Sequence, residues 1–252
     1  MTLKDKVLAE IKNNLDLVED DDFDRLYEKV SRLTFNIGDE GALGMLSDIL
    51  IEAGIDPLSV ASPREDMFAY SEKVKSIDYK YNRVPLGMFM MSSLENISFT
   101  SDLNEIEFPA FLRCKNLTSI DLSNTNLKQL EPKTFQECEN MTSIVLPDHL
   151  LTLPNDFLIG CSSLEKVVLP KNLEGIWEYT FNGCESLKEL TLPKSVRNIR
   201  GFAFAGTGLE KLNYEGTVNG WKSGVRKSTE WREHSNITEV VCSDGVVKYK
   251  HL

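Results

Sequence analysis

The most regular feature of this sequence is a six-residue pattern with apolar residues at its first, fourth and sixth positions. Its last three positions alternate apolar, polar and apolar, which is the periodicity of a β-strand with one buried face. We therefore expect a short strand at each start of the pattern. The eight starts are Val74, Leu94, Leu117, Met141, Leu164, Leu187, Leu209 and, with a looser fit after a longer gap, Ile237.

A second marker follows the same period. It is a large apolar residue three positions before a small one, and the steps between the large residues are 21, 22, 24, 23, 23 and 23. Two markers that share one period indicate a repeat architecture. The pairs are Phe68/Ser71, Phe89/Ser92, Phe111/Cys114, Phe135/Cys138, Leu158/Cys161, Phe181/Cys184 and Phe204/Thr207.

Strands this short cannot bury an apolar face alone, but parallel stacking of successive units gives each strand two neighbours and one continuous core. The sequence therefore predicts a parallel β-solenoid of seven or eight coils, in which Leu169 is a core residue. A proline that lacks the N–H of a sheet suits the exit of the first strand. Pro147, Pro170 and Pro193 occupy that place, and second extended segments are predicted at Leu127/Leu130, Leu173/Ile176 and Val196/Ile199.

Four cysteines recur at one position of the repeat, with the same period as the large apolar residues. Stacked corners lie about 4.7–4.9 Å apart, which permits disulfides on distance alone. Zinc sites, however, use CxxC or histidine neighbours, and other units place Ser71, Ser92 or Thr207 here, which cannot act as thiolates. We favour small, buried, structural side chains over a metal or redox site. The cysteines are Cys114, Cys138, Cys161 and Cys184.

The repeat LxxIxLPxxLxxIxxxxFxxCxx resembles the BspA-type leucine-rich repeat, also called the Treponema-pallidum-type repeat, over about residues 60–252. The tail, with LNYEGTVNGWKSG (212–224), Trp231 and ITEVVCSDGVV (237–247), is similar to the terminal unit of such proteins. The resemblance implies a curved, right-handed solenoid with a parallel sheet along its concave side. It also implies a binding surface, as in bacterial surface and phage-encoded proteins, and no catalytic residues.

The N-terminal segment, residues 1–56, differs from the repeats, since its apolar residues follow helical spacing. It predicts a cap of three helices, domain 1–56, that covers the end of the solenoid domain 57–252, whose own terminal unit is about 209–252. Asp39 is placed to cap the third helix and Gly54 to end it. Partner binding or oligomerisation is the alternative role. The helical runs are Leu3, Val7, Leu8, Ile11 and Leu15; Phe23, Leu26, Tyr27, Val30 and Leu33; and Leu43, Leu46, Ile49, Leu50 and Ala53.

The charge of the chain restricts its partners. The formal net charge is −11, and residues 1–56 contain 14 Asp/Glu against 6 Lys/Arg. Surplus acid disfavours nucleic acid and anionic membranes as partners. No apolar stretch is long enough for a membrane span or a signal peptide, so we expect a cytoplasmic protein without membrane insertion, or a virion component. Near the C-terminus we expect Trp221 and Trp231 to cover the last coil while Lys222, Arg226, Lys227 and Arg232 face water, in preference to a nucleic-acid patch.

The sequence contains no clear catalytic, phosphate-binding or metal-binding motif. EDDDFD (19–24) lacks the glycine of a calcium loop, and no phosphate loop or histidine pairing with a nucleophile is recognisable. We therefore predict a protein that is not an enzyme and has no cofactor or metal. A carboxylate cluster in a cleft is the feature that would favour an enzyme instead.

The predicted binding surface is formed by the outward positions of the first strands or by Trp177 and Tyr179 on a second extended segment. Outward apolar residues on a sheet and exposed aromatic residues are typical of contact sites. We predict a non-catalytic protein–protein interaction module for a partner of unidentified type, with the oligomeric state open. The alternative is a structural component of a virion or cell-surface assembly, docked through residues 1–56. The candidate partner-binding residues are Asp78, Asp121, Val145, Val168, Trp177 and Tyr179.

Overall fold

The computed structural model describes residue 9 and residues 41–250. The predicted helices over 3–15 and 23–33 and the acidic run 19–24 therefore lie outside the described residues, Ala9 excepted. From Gly41 the chain forms helix α1 (Ala42–Glu52), then a short helix α2 (Pro57–Val60), and then a parallel β-solenoid.

Helix α1 packs on the first coil. Gly44 lies against the backbone of that coil so closely that an added Cβ would sit 1.9 Å from the carbonyl oxygen of Ala69. The Ser47 hydroxyl donates to the carbonyl of Met67 at 2.6 Å, and the Asp48 carboxylate accepts from the amides of Glu72 and Lys73 at 2.9 and 3.1 Å. The predicted helical cap is confirmed for this helix. The domain boundary and a docking role for residues 1–56 stay predictions.

The two ends of α1 differ in how well they were predicted. Gly54 adopts a left-handed φ of 78°, and the amide of Ile55 reaches back to the carbonyl of Leu50 at 2.9 Å, so Gly54 ends the helix as predicted. The N-cap residue is Gly41, with no side-chain cap. The cap predicted at Asp39 falls on a residue outside the described part of the chain and stays a prediction.

Fifteen strands follow α2 in the described part of the chain. They are β1 (Ser76–Tyr79), β2 (Arg83–Val84), β3 (Asn96–Phe99), β4 (Glu105–Ile106), β5 (Ser119–Asp121), β6 (Ser143–Val145), β7 (Thr152–Leu153), β8 (Lys166–Val168), β9 (Gly175–Ile176), β10 (Thr191–Leu192), β11 (Asn198–Ile199), β12 (Lys211–Tyr214), β13 (Arg226–Lys227), β14 (Glu239–Cys242) and β15 (Gly245–Lys248).

The first strands of the coils form the first sheet, and all eight predicted starts give a strand. This sheet is divided into three sections: β1–β3, β5–β6–β8 and β10–β12–β14–β15. Every pairing is parallel except β14 with β15, a hairpin that ends the solenoid.

The second strands form a second parallel sheet, in sections β2–β4 and β7–β9–β11–β13. Strands β9 and β11 confirm the extended segments predicted at Leu173/Ile176 and Val196/Ile199. Leu127 and Leu130 are buried but belong to no strand, so pairing of the extended segment predicted there is not seen. Their coil, from Phe111 to Phe135, is one position longer than each of the next three coils, and parallel pairing needs one-to-one register.

The columns of large and small residues lie side by side, and we call them together the corner. In the large column the ring centroids of Phe68, Phe89, Phe111 and Phe135 are 5.2–5.4 Å apart in sequence order. Where the column contains the smaller Leu158, the preceding Phe157 turns inward and its ring lies 5.5 Å from that of Phe135. The corner therefore stays filled from coil to coil.

An aromatic cluster covers the last coil, as predicted. The rings of Trp221 and Trp231 lie 5.6 Å apart, and the Trp221 indole N–H donates to the Tyr249 hydroxyl at 2.7 Å. The expectation that all nearby charges face water is wrong. The Lys227 ammonium lies 4.6 Å above the Trp221 ring and the Arg232 guanidinium 4.9 Å above the Tyr249 ring, where cation–π attraction stabilises them.

Candidate partner-binding surface

Four of the predicted contact residues share one row of outward side chains, which we call the outer column. Pairing register places Asp121 beside Val145 and Val145 beside Val168. Asp78 lies further along the column, beside Ser98. The outer column is Asp78, Ser98, Asp121, Val145, Val168, Thr191 and Asn213.

The N-terminal part of the outer column is polar and ordered by hydrogen bonds. The Ser98 hydroxyl donates to the Asp78 carboxylate at 2.6 Å, and the Asp121 carboxylate accepts from the amide of Ser123 at 2.9 Å. Both carboxylates are exposed. They are therefore oriented hydrogen-bond acceptors that are accessible from solvent.

The column becomes apolar at Val145 and Val168. Val145 is half-buried, whereas 39% of Val168 is exposed. Exposed valine favours strands and needs no partner. Its position next to ordered carboxylates nevertheless gives the surface both an apolar and an acidic part.

Trp177 and Tyr179 lie elsewhere, after β9 of the second sheet. Trp177 is half-buried and the guanidinium of Arg200 lies 5.0 Å from its ring centroid. Tyr179 is 38% exposed and stacks on Phe202 at 5.1 Å, and Phe202 stacks on His234 at 5.9 Å. Phe202 and His234, whose rings continue this stack, were not predicted from the sequence. The signal was available, since Phe202 follows Tyr179 by one full repeat.

A cleft interrupts the first sheet between β8 and β10, and no feature of the sequence indicates it. Its volume is about 590 Å³, and its walls include Val167, Leu169, Glu189 and Thr191. Leu169 is half-buried, whereas Leu146 at the same place in the preceding coil is only 2% exposed. The prediction that Leu169 is a core residue is therefore wrong. It lacks the neighbouring strand that would cover it.

The cysteine column is structural in its geometry. Each thiol donates to the carbonyl of the large residue in the preceding coil: Cys114 to Phe89 at 2.9 Å, Cys138 to Phe111 at 3.3 Å, Cys161 to Phe135 at 3.1 Å and Cys184 to Leu158 at 3.3 Å. Burial raises the pKa of the Cys114 and Cys161 thiols to about 12, so they are not nucleophiles at neutral pH. The alignment of the four thiols along one edge is confirmed.

Metal binding and membrane insertion find no support in the described part of the chain. Within it, no group of three or more His, Cys, Asp or Glu side chains could bind a metal ion. Nor is any helix of residues 41–250 long and apolar enough to cross a membrane.

A family model described as "BspA type Leucine rich repeat region" matches residues 61–175 and 151–246, in six copies. The chain belongs to this family. The resemblance seen in the repeat pattern is thereby confirmed.

Three solved structures are similar to this chain. A leucine-rich repeat protein from Bacteroides ovatus has a TM-score of 0.50 and 20% identity, over 72% of this chain and 59% of that chain. The T. pallidum leucine-rich repeat protein TpLRR has a TM-score of 0.42 and 25% identity, over 54% and 73%. A leucine-rich repeat protein from Eubacterium ventriosum has 0.41 and 17%, over 69% and 50%.

The chain thus spans 59% of the length of the Bacteroides ovatus protein, and identity of 20% shows the fold alone. No curated protein matches the chain in sequence.

Proposed function

We propose that this BspA-type repeat chain is a non-catalytic protein-binding module and that its outer column contacts the partner. The observation that carries the proposal is the register of Asp121, Val145 and Val168 on three adjacent strands. One partner surface can contact all three at once, because adjacent strands lie about 4.7–4.9 Å apart.

The chemistry of the column supports a protein partner. Val168 offers apolar area for burial, and Asp78 and Asp121 offer acceptors already oriented by Ser98 and Ser123. Protein interfaces combine an apolar centre with a polar rim in this way. The partner we expect therefore carries an apolar side chain flanked by hydrogen-bond donors or bases.

Trp177 and Tyr179 form a second, separate contact group in this proposal. Arg200 already covers one face of Trp177, so Tyr179 is the more accessible of the two rings. Its stacking on Phe202 holds it in a fixed orientation, which lowers the entropy lost on binding.

The test begins with a partner captured by the wild-type chain and measures its affinity for variants of the outer column. Asp121→Lys and Val168→Asp should each weaken binding by about tenfold or more, which is about 1.4 kcal/mol. Thermal unfolding should change little, because both side chains are exposed.

Lys128→Glu is the matched control, since Lys128 is exposed but lies outside the outer column. It should bind like the wild type. Unchanged affinity in both outer-column variants would remove this surface from consideration, and Tyr179→Ala would then test the second group.

A further inference from the structure

We propose that the cleft between β8 and β10 binds an extended peptide segment of a partner protein, rich in apolar and basic side chains, as an added strand. The inference rests on the proposed function and specifies the chemistry of the partner. It is carried by three observations: free strand edges, an opening confined to one sheet, and uncommitted carboxylates.

The first observation is that the wall formed by β8 has a free backbone edge. The amide of Lys166 donates to the carbonyl of Thr142 at 3.1 Å, and the carbonyl of Val168 accepts from the amide of Leu146 at 3.1 Å. Both residues therefore bond toward β6. In a parallel sheet, alternate residues bond to alternate sides. The N–H and C=O of Val167 therefore face the cleft.

The wall formed by β10 also has a free backbone edge. The carbonyls of Leu190 and Leu192 accept from the amides of Asn213 and Glu215, each at 3.0 Å, so they bond toward β12. By the same alternation, Thr191 directs its N–H and C=O into the cleft. Such unpaired edges are templates for pairing with an extended chain.

The second observation is that the coils remain stacked behind the cleft. Strands β9 and β11 pair there, with Gly175 beside Asn198, and the amide of Ser186 donates to Ser162 at 3.0 Å. The Cys184 thiol still donates to Leu158 at 3.3 Å. The opening is thus confined to the first sheet.

The other interruption of the first sheet, between β3 and β5, gives a useful contrast. There the amide and hydroxyl of Thr118 both donate to the carbonyl of Glu95 at 3.1 Å and join the strands. Lys188 occupies the equivalent place beside β8. Among the described residues, no backbone hydrogen bond joins residues 164–170 to 187–193.

The third observation is the charge of the walls. Lys211 and Glu239 are neighbours on adjacent strands of the first sheet and form an ion pair at 3.2 Å. Lys166 and Glu189 hold the equivalent positions on β8 and just before β10, but no described ion pair joins them across the cleft. Lys171 on the rim is already paired with Asp148 at 2.5 Å.

The remaining wall charges are Glu165, Glu189 and Glu215 against Lys166, and none of the four is in a described ion pair. This surplus of acid selects for basic side chains. Exposed Val168, with the half-buried Val167 and Leu169, selects for apolar ones. A volume of about 590 Å³ suits a short segment.

The experiment is an NMR titration of the full chain with the synthetic peptide acetyl-VKVKV-amide. We expect the amide resonances of Val167 and Thr191 to shift and their hydrogen exchange to slow. The acidic peptide acetyl-VEVEV-amide and a backbone N-methylated acetyl-VKVKV-amide should have much smaller effects, because they lack the charge or the donors.

Two variants separate the contributions. Val167→Pro removes the N–H that faces the cleft and leaves the β6–β8 hydrogen bonds in place, so binding of the basic peptide should be lost. Glu189→Lys changes an exposed side chain, so the fold should be unaffected, and it should shift preference from the basic toward the acidic peptide.

The outcomes that overturn the inference are distinct from a failure of the proposed function. Shifts at Asp121 and Val145 with unchanged Val167 and Thr191 would exclude the cleft and leave the outer column as the binding surface. No shift with any peptide would also overturn the cleft proposal. Concentration-dependent shifts at Val167 without peptide would identify a second copy of the chain as the occupant instead.

Discussion

The corner and the first sheet are built from the same coils, but they differ in continuity. The large column is buried from Phe68 to Phe204 without a break, whereas the first sheet is divided into three sections. In each coil the corner contributes a buried large side chain, and the amide of the small residue donates to the carbonyl of that large residue. In four coils the small residue is a cysteine whose thiol donates to the preceding coil. A first strand, by contrast, has only two to four residues that can pair with the next coil. We infer that the corner, and behind the cleft also the second sheet, keeps the coils stacked where the first sheet is open.

The largest expected effect is therefore in the corner. Phe111→Ala removes a fully buried ring that stacks between Phe89 at 5.2 Å and Phe135 at 5.3 Å. The free energy of unfolding should fall by about 3–5 kcal/mol, as measured by urea denaturation.

Val168→Ala is the matched change in the first sheet, and its cost should be below about 1 kcal/mol because the side chain is exposed. If the two variants were equally stable, the corner would not be the dominant contact between coils.

A second pair of variants examines the sheet alone. Leu146 and Leu169 have the same place in adjacent coils, but only Leu169 borders the cleft. Leu146→Ala should cost about 2–5 kcal/mol. Leu169→Ala should cost about 1 kcal/mol, since its side chain is half-buried and less apolar area is lost. Equal costs in urea denaturation would mean that β8 and β10 pair in solution and that the cleft is closed.

The corner could be predicted from the sequence because it depends on which residue types share a column. The constant repeat step places Phe181 over Phe204 whatever the details of the coil between them, and the rings do stack, at 5.7 Å. The outer column was predictable for the same reason, since strand alternation decides which side of the sheet Val145 and Val168 occupy.

The cleft could not be predicted in this way. LEKVVLP (164–170) and LKELTLP (187–193) fit the repeat as well as their neighbours do and keep its regular step. A repeat pattern states which residues are equivalent, but it does not give the distance between coils. That distance depends on packing between strands, and neither Val167 nor Leu190 differs in type from its equivalents elsewhere.

The smallest expected effect concerns the thiols of the corner and has a distinct pH dependence. Burial raises the pKa of Cys161 to about 12, from an ordinary value of 9.0. Above pH 9 the unfolded chain loses this proton while the folded chain keeps it, so stability falls as the pH rises. The contribution of the thiol is fully present below about pH 9 and decreases by about 1.4 kcal/mol per pH unit as the pH rises toward 12.

Cys161→Ser isolates this contribution. Serine can donate to the Phe135 carbonyl as the thiol does, at 3.1 Å in the wild type, and Ser92 already occupies the equivalent place. At neutral pH the variant should lose about 1 kcal/mol or less. Between about pH 9 and 10.5 its stability should fall less steeply than that of the wild type, by about 1.4 kcal/mol per pH unit. Other groups titrate in this range, but they are common to both proteins and cancel in the difference. Parallel stability curves from urea denaturation across this range would show that the Cys161 thiol is not buried in the folded protein, and the corner would lose its defining contact.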